Sequence, residues 1–146
     1  MMEGFFVELL GCYLMVERSK DKVVRIYFST DQPAGPSELA RDITDYLRGR
    51  APCPEAELDL SGLTDFQKRI FSVVREIPCG QTRTYGEVAA LAGRPKAARA
   101  VGRTMASNPF VILVPCHRVV AKRGLGGFSG GLDLKEKLLA LESAKS

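Results

Sequence analysis

The sequence predicts a mixed α/β (α+β) fold in two parts: a small N-terminal βββα unit, then a mostly helical half containing a helix-turn-helix. Three observations predict it. Short runs of β-branched and aromatic residues, broken by turn signals, fill the first thirty positions. After residue 60, apolar residues recur at helical spacing behind capping residues. Between them, "GRAPCPEAELDLSG" (49–62) is rich in Pro, Gly and charge and reads as a linker. The predicted domains are 1–55, linker included, and 56–146.

In chain order, residues 5–10 (FFVELL), 12–18 (CYLMVER) and 23–29 (VVRIYFS) read as a meander of strands, separated by Gly11 and "SKDK". "PSELARDITDYLRG" reads as a helix with Ser37 as N-cap and Leu39, Ile43, Tyr46 and Leu47 on one face. "TDFQKRIFSVVREI" opens with Thr64 and Gln67 at capping-box spacing and sets Phe66, Ile70, Val73, Val74 and Ile77 on an apolar face. "TYGEVAALAG" repeats the device with Thr84 and Glu87 and closes on Gly93. "PKAARAVGRTMASN" then starts a further helix, with Pro95 in its first turn. The tight "AGRP" turn between these two helices fits a helix-turn-helix. Pro109 bars continuation, so "SNPFVILVPC" is expected to be extended. A glycine-rich loop and a short helix capped by Asp133 complete the chain.

Length and composition are those of an ordinary folded protein, with 146 residues, 45% apolar and 26% charged. The opening residues lack the basic n-region of a signal peptide. No uncharged apolar run approaches the ~18 residues a membrane span needs. A soluble cytoplasmic protein without membrane contact, acting as a monomer, is expected. Four dispersed cysteines, Cys12, Cys53, Cys79 and Cys116, form no C-x-x-C pair. With a single histidine beside them, no zinc cluster and no other metal site is expected. The net charge is only +4, but residues 94–123 contain no Asp or Glu. That acid-free basic segment points to a polyanion partner or to a solvated cationic face.

Two groups of residues can carry chemistry. Lys96, Arg99 and Arg103 share a helical face, set among Ala97, Ala98, Ala100 and Gly102. Long cations on a bed of very small side chains suit close approach to nucleic-acid phosphates; the same pattern fits alanines facing a core and cations facing water. The second group is Cys116 and His117 within "ILVPCHRVV". An imidazole can activate a thiol as a nucleophile. Neighbours on an extended strand face opposite ways, so the pair needs a bend or a bridging water, and Pro115 is compatible with a bend. Glu142 and Asn108 are candidates for the orienting third group. Taken alone, the dipeptide fits a buried structural thiol beside a surface imidazole better than a catalytic pair.

The combination is more specific. "TYGEVAALAG", "AARAVG", "SNP", "PCHRVV" and "GGFSGGLDLKEKLLALE", in this order across residues 61–143, resemble the O6-alkylguanine-DNA alkyltransferase family, the methylated-DNA–protein-cysteine methyltransferases. The resemblance implies a ribonuclease-H-like N-terminal domain. It implies direct reversal of DNA damage: one irreversible, stoichiometric transfer of the alkyl group from O6-alkylguanine in double-stranded DNA to Cys116, without cofactor. Position by position, it implies that His117 acts as base through a bridging water, that Glu142 orients it, and that Asn108 ties the helix pair to the thiol segment. It implies that Tyr85 rotates the target nucleotide's phosphate and protonates the departing guanine, that Arg99 fills the gap left by the flipped base, and that Ala97, Ala98 and Gly102 form the close-approach surface. It implies that Met105, Val119, Phe128 and Ser129 form the guanine pocket. The implied helix lies in the minor groove, where contacts to phosphates dominate and Lys96 and Arg103 belong. Three rivals stand beside this reading: an alkylguanine sensor without transferase activity, a helix-turn-helix regulator of transcription, and a thiol hydrolase. The sensor is disfavoured by the retained "PCHR", and the hydrolase by the lack of an oxyanion-hole motif.

Overall fold

A computed structural model describes residues 2–128 and 131–145 of the chain. It divides into two compact units, Met1–Asp59 and Leu60–Ser146.

In the first unit, strands β1 (Glu3–Val7), β2 (Cys12–Ser19) and β3 (Lys22–Ser29) form the antiparallel meander. The first strand starts earlier and stops sooner than its apolar run implies. The amides of Leu10 and Gly11 both turn back to Val7 O, so "ELL" makes the turn and Leu9 is left exposed. A short β4 (Gly35–Pro36), unexpected from sequence, pairs parallel to β1 and gives the order β3-β2-β1-β4. Helix α1 (Glu38–Leu47) packs on β1 and β2. Ser37 caps it by accepting from Ala40 N, and Leu39, Ile43 and Leu47 enter the core with Val7, Leu14, Val16 and Ile26. The boundary expected at residue 55 falls later. Glu57 O and Asp59 N exchange hydrogen bonds with Val23 of β3, so residues 57–59 follow the sheet and not the helices.

In the second unit, α2 (Asp65–Arg75) and α3 (Tyr85–Leu91) each begin in a complete capping box, Thr64 with Gln67 and Thr84 with Glu87. Phe71, not Phe66, joins Ile70, Val74 and Ile77 in the core, meeting Phe110 edge-on at 6.4 Å. Phe66 lies half-exposed beneath the guanidinium groups of Arg69 and Arg94. Gly93, at φ +93°, ends α3: its amide donates to Ala90 O while Arg94 N donates to Ala89 O, the paired bonds of a left-handed C-cap. The next helix, α4 (Ala98–Ala106), starts later than Pro95. A turn closed from Ala97 N to Arg94 O intervenes, and Ala97, at the cap of α4, makes no side-chain capping bond. Lys96 and Ala97 therefore precede the helix and do not share its face. Strands β5 (Arg83–Thr84) and β6 (Val119–Val120) pair in parallel, and α5 (Leu132–Lys145) ends the unit. Asp133 stands within the first turn of α5, not at its cap.

Candidate active site

The thiol segment coils where an extended strand was expected. Pro109 does stop α4's path, but Val114 N then donates to Phe110 O, and Cys116 N to Val114 O at 2.7 Å. Asn108 binds both limbs of this coil: its Oδ1 accepts from Phe110 N and its Nδ2 donates to Val114 O, each at 2.9 Å. The apolar run 110–114 is buried whole, so its polar backbone groups need partners close by, and Asn108 supplies two. Ile112 stands at φ +72°, a strained state for a β-branched side chain that the surrounding packing must hold.

Cys116, His117 and Arg118 then form a single 3₁₀ turn, closed by Arg118 N donating to Pro115 O. This is the bend that adjacent thiol and imidazole need. All three side chains are buried. They look toward α5, whose residues Lys135, Leu138 and Glu142 (i, i+3, i+7) form one inward face and are themselves buried. His117 Nε2 lies 3.1 Å from Glu142 Oε2, an ion-pair distance lacking the alignment of a full hydrogen bond. Its Nδ1 has no hydrogen-bond partner among the described residues. Arg118 grips the same carboxylate: Nε donates to both oxygens, Nη2 to Oε2, and Nη1 reaches back to Ile77 O behind α2.

The charges follow from these contacts. Burial alone would raise the Glu142 carboxyl, but the close approach of His117 and the hydrogen bonds from Arg118 outweigh it and hold it at about 2. Glu142 is thus a fixed anion. Burial pushes the His117 imidazole below its ordinary value; Glu142 opposes this, and Arg118 and Lys135 add to it. Burial also pushes the Cys116 thiol up, while the Asn108 amide, the Lys135 ammonium and the backbone of Cys116 and His117 favour the thiolate. Both shifts run toward the uncharged forms, thiol and imidazole.

Pairing of β5 with β6 sets Tyr85, the first residue of α3, beside the thiol segment. Gly127 N donates to Tyr85 Oη at 3.3 Å. Gly126, at φ +72°, passes so close that a Cβ there would stand 2.5 Å from the same oxygen. On the helix pair, Arg99 and Arg103 are exposed on α4, Lys96 is exposed in the preceding turn, and Ala97, Ala98 and Gly102 are half-exposed. Met105 and Val119 are buried and Phe128 half-buried. Ser129 lies outside the described residues.

Structure thus gathers Cys116, His117, Glu142 and Asn108 around one turn, sets Tyr85 against the glycine loop, and leaves the basic residues on a separate exposed face. Two buried cations of the site, Arg118 and Lys135, carried no predicted role. Arg118 was legible as the last letter of "PCHR"; Lys135 had no signal beyond its helical spacing from Glu142. Among the described residues, no group of three or more His, Cys, Asp or Glu could hold a metal ion, and no helix is long and apolar enough to cross a membrane.

A small α/β unit followed by a helix-turn-helix unit that buries a thiol, an imidazole and a carboxylate defines a class of thiol-bearing proteins with a nucleic-acid-binding shape. Comparison specifies it. The profile described as "6-O-methylguanine DNA methyltransferase, DNA binding domain" matches residues 65–144. The methylated-DNA–protein-cysteine methyltransferase of Methanosarcina acetivorans is 46% identical over 108 residues, covering 73% of this chain and 69% of that protein. Its namesake in Mycolicibacterium paratuberculosis is 44% identical over 118 residues, covering 80% and 71%. The crystal structure of Mycobacterium tuberculosis OGT in complex with DNA superposes with a TM-score of 0.84 at 32% identity, covering 99% of this chain and 94% of that one. The O6-methylguanine-DNA methyltransferase of Pyrococcus kodakaraensis follows with a TM-score of 0.79 at 28% identity, over 97% of both chains. The chain belongs to the 6-O-methylguanine DNA methyltransferase family.

Proposed function

We propose that this chain repairs DNA by moving the alkyl group of O6-alkylguanine onto its own Cys116, once and irreversibly. The observation that carries the reading is the Cys116–Arg118 turn, which buries a thiol beside an imidazole whose far nitrogen stands 3.1 Å from a carboxylate with a strongly lowered pKa. With Nε2 turned to Glu142, the unpartnered Nδ1 is the basic nitrogen available for the thiol's proton, directly or through a water. The thiolate sulfur attacks the saturated carbon attached to O6. A carbon–sulfur bond forms, the carbon–oxygen bond breaks, and the electron pair leaves with the guanine. Tyr85 Oη accepts from Gly127 N, which leaves its own O–H proton free to neutralise that guanine. The thioether is chemically stable, so each molecule acts once, and the transfer as written balances without a cofactor.

The target carbon lies inside the duplex, so the base must be flipped out, at a few kcal/mol. Arg99, exposed on α4, fills the gap. Lys96 and Arg103 meet phosphates, and Ala97, Ala98 and Gly102 let the helix approach the minor groove closely. Gly102 supports this: a Cβ there would meet nothing within 4 Å, so packing inside the protein does not require a glycine. A mid-helix glycine weakens a helix by roughly 1 kcal/mol against alanine, and an external surface gives a reason to retain it. Met105, Val119, Phe128 and Ser129 are assigned to the guanine pocket. The chain acts as a monomer in the cytoplasm.

The test is intact mass after mixing the protein with a duplex carrying one O6-methylguanine, beside Cys116→Ser. The expected outcome is one added methyl group per protein, mapped to the "PCHR" peptide and absent from the variant. Tight lesion binding without added mass would make the chain a sensor, and neither binding nor added mass would overturn the reading.

A further inference from the structure

Lys135 is a buried cation that the mechanism above does not use. Its side chain is closed off from solvent on the inward face of α5, and a lysine seldom sits so deep without a carboxylate partner. Among the described residues none makes an ion pair with it. Its ammonium instead donates to Val119 O at 2.8 Å and to Gly127 O at 2.9 Å. From this seat beside the Cys116–Arg118 turn its charge favours a Cys116 thiolate, and a thiolate there would favour the ammonium in return. Val119 is three residues past the thiol. Gly127 is the residue whose amide donates to Tyr85 Oη. A single cation therefore joins the segment of the nucleophile to the loop that holds the acid.

Resting on the transfer reading, we infer that Lys135 is a positioning residue for the reaction: it locks Val119 to Gly127, so that Tyr85 is held by the same loop, and it serves as counter-ion to the thiolate as His117 takes the proton. A neutral thiol gives this ammonium no charge to meet, so the interaction grows as the proton moves from sulfur to imidazole. That is the direction in which a charge assists the step. The groups facing the thiol are Asn108, His117 and Lys135, and His117 is faced in turn by Glu142 and Arg118.

The test uses the full chain with Lys135→Met, which keeps the stem and removes the charge. Lys135→Gln, which keeps a donor, replaces it should the methionine variant lose its circular-dichroism fold. First, labelling of Cys116 by iodoacetamide is followed against pH in the DNA-free protein, with the site identified by peptide mass. The midpoint is expected to rise by about one pH unit. Second, single-turnover methyl transfer is measured for the variant, for Tyr85→Phe and for the pair. Lys135→Met is expected to slow transfer tenfold or more, and the pair to lose less than the product of the single losses, because one lock serves both groups. A folded variant with an unmoved labelling midpoint overturns the counter-ion role, and fully multiplicative losses overturn the lock. If the wild-type chain takes up no methyl group while the midpoint still moves, the transfer reading fails and the counter-ion assignment stands.

Discussion

The two units bury different things. Among the described residues, the first closes its core over apolar side chains and two polar ones, Ser37 and Thr44, each bonded to the backbone of its own helix. The second buries Thr104 and, around the Cys116–Arg118 turn, Asn108, His117, Arg118, Lys135 and Glu142. Their ion pairs contrast in the same way. Lys22–Glu57 at 3.8 Å and Arg48–Glu8 at 3.7 Å lie on the surface of the first unit, whereas Arg118–Glu142 is buried in the second. Exposed pairs contribute about 0–1 kcal/mol. A buried charge left without its partner destabilises by roughly 3–5 kcal/mol. Polar burial of this density is a poor way to gain stability, and it is concentrated around the turn that carries the thiol.

The contrast is broken most directly at Arg118. Arg118→Met keeps the bulk of the stem but leaves Glu142 as a buried anion facing only His117, and frees Ile77 O. A loss of about 3–5 kcal/mol in urea unfolding is expected, with slowed methyl transfer. Removal of Glu57 from the first unit should shift unfolding by less than about 1 kcal/mol. Equal effects at the two sites would mean that the site's charges are solvated as surface charges are, and the comparison would fall.

Much of this contrast was legible in the sequence, but unevenly. Ser37, Thr64 with Gln67, and Thr84 with Glu87 announced their helices, because a cap is a local contact between residues three apart. Cys116 and His117, with Glu142 and Asn108 as candidate third groups, were singled out from the residues themselves, Tyr85 was added by the motif resemblance, and the structure sets the first four around one turn. The coil at 110–115 was not legible. Its hydrogen bonds run to Asn108 and to residues two and four away, so "FVILVP" carries the composition of a strand without being one. Helix α5 misleads in another way. Two of its three deepest residues, Lys135 and Glu142, are charged, so periodicity of apolar residues points away from its true inner face. Capture of Val23 by residues 57–59 is a tertiary pairing with no local signal.

Acid gives the next largest effect and acts on the second unit. Glu142 titrates near 2 in the folded chain against an ordinary value of 4.5. A depressed folded pKa means that the unfolded chain takes up the proton first as pH falls. The stabilisation is therefore complete above about 4.5 and gone below about 2. It is on the order of 3 kcal/mol. His117, held below its ordinary 6.5, works in the same sense from higher pH, since the unfolded chain gains a proton that the buried ring resists. Urea midpoints measured from pH 7 to pH 2.5 should fall steadily for the wild type. They should fall less for Glu142→Gln, which has no such proton to take up. Parallel curves would show that other carboxylates carry the acid response.

The smallest effect expected belongs to the first unit and sharpens the comparison from the other side. Ser37 accepts from Ala40 N at 3.1 Å and satisfies one of the free amides at the start of α1. Ser37→Ala leaves that buried amide unpaired and should lower stability by about 1 kcal/mol. The hydroxyl is engaged at the start of α1 within the first unit, so methyl uptake per folded molecule should equal that of the wild type. A slowed transfer, with folding confirmed by circular dichroism, would mean that the first unit shapes the chemistry as well as supporting its own sheet. Unchanged transfer with the expected loss of stability would place the whole reaction within the unit that buries charge.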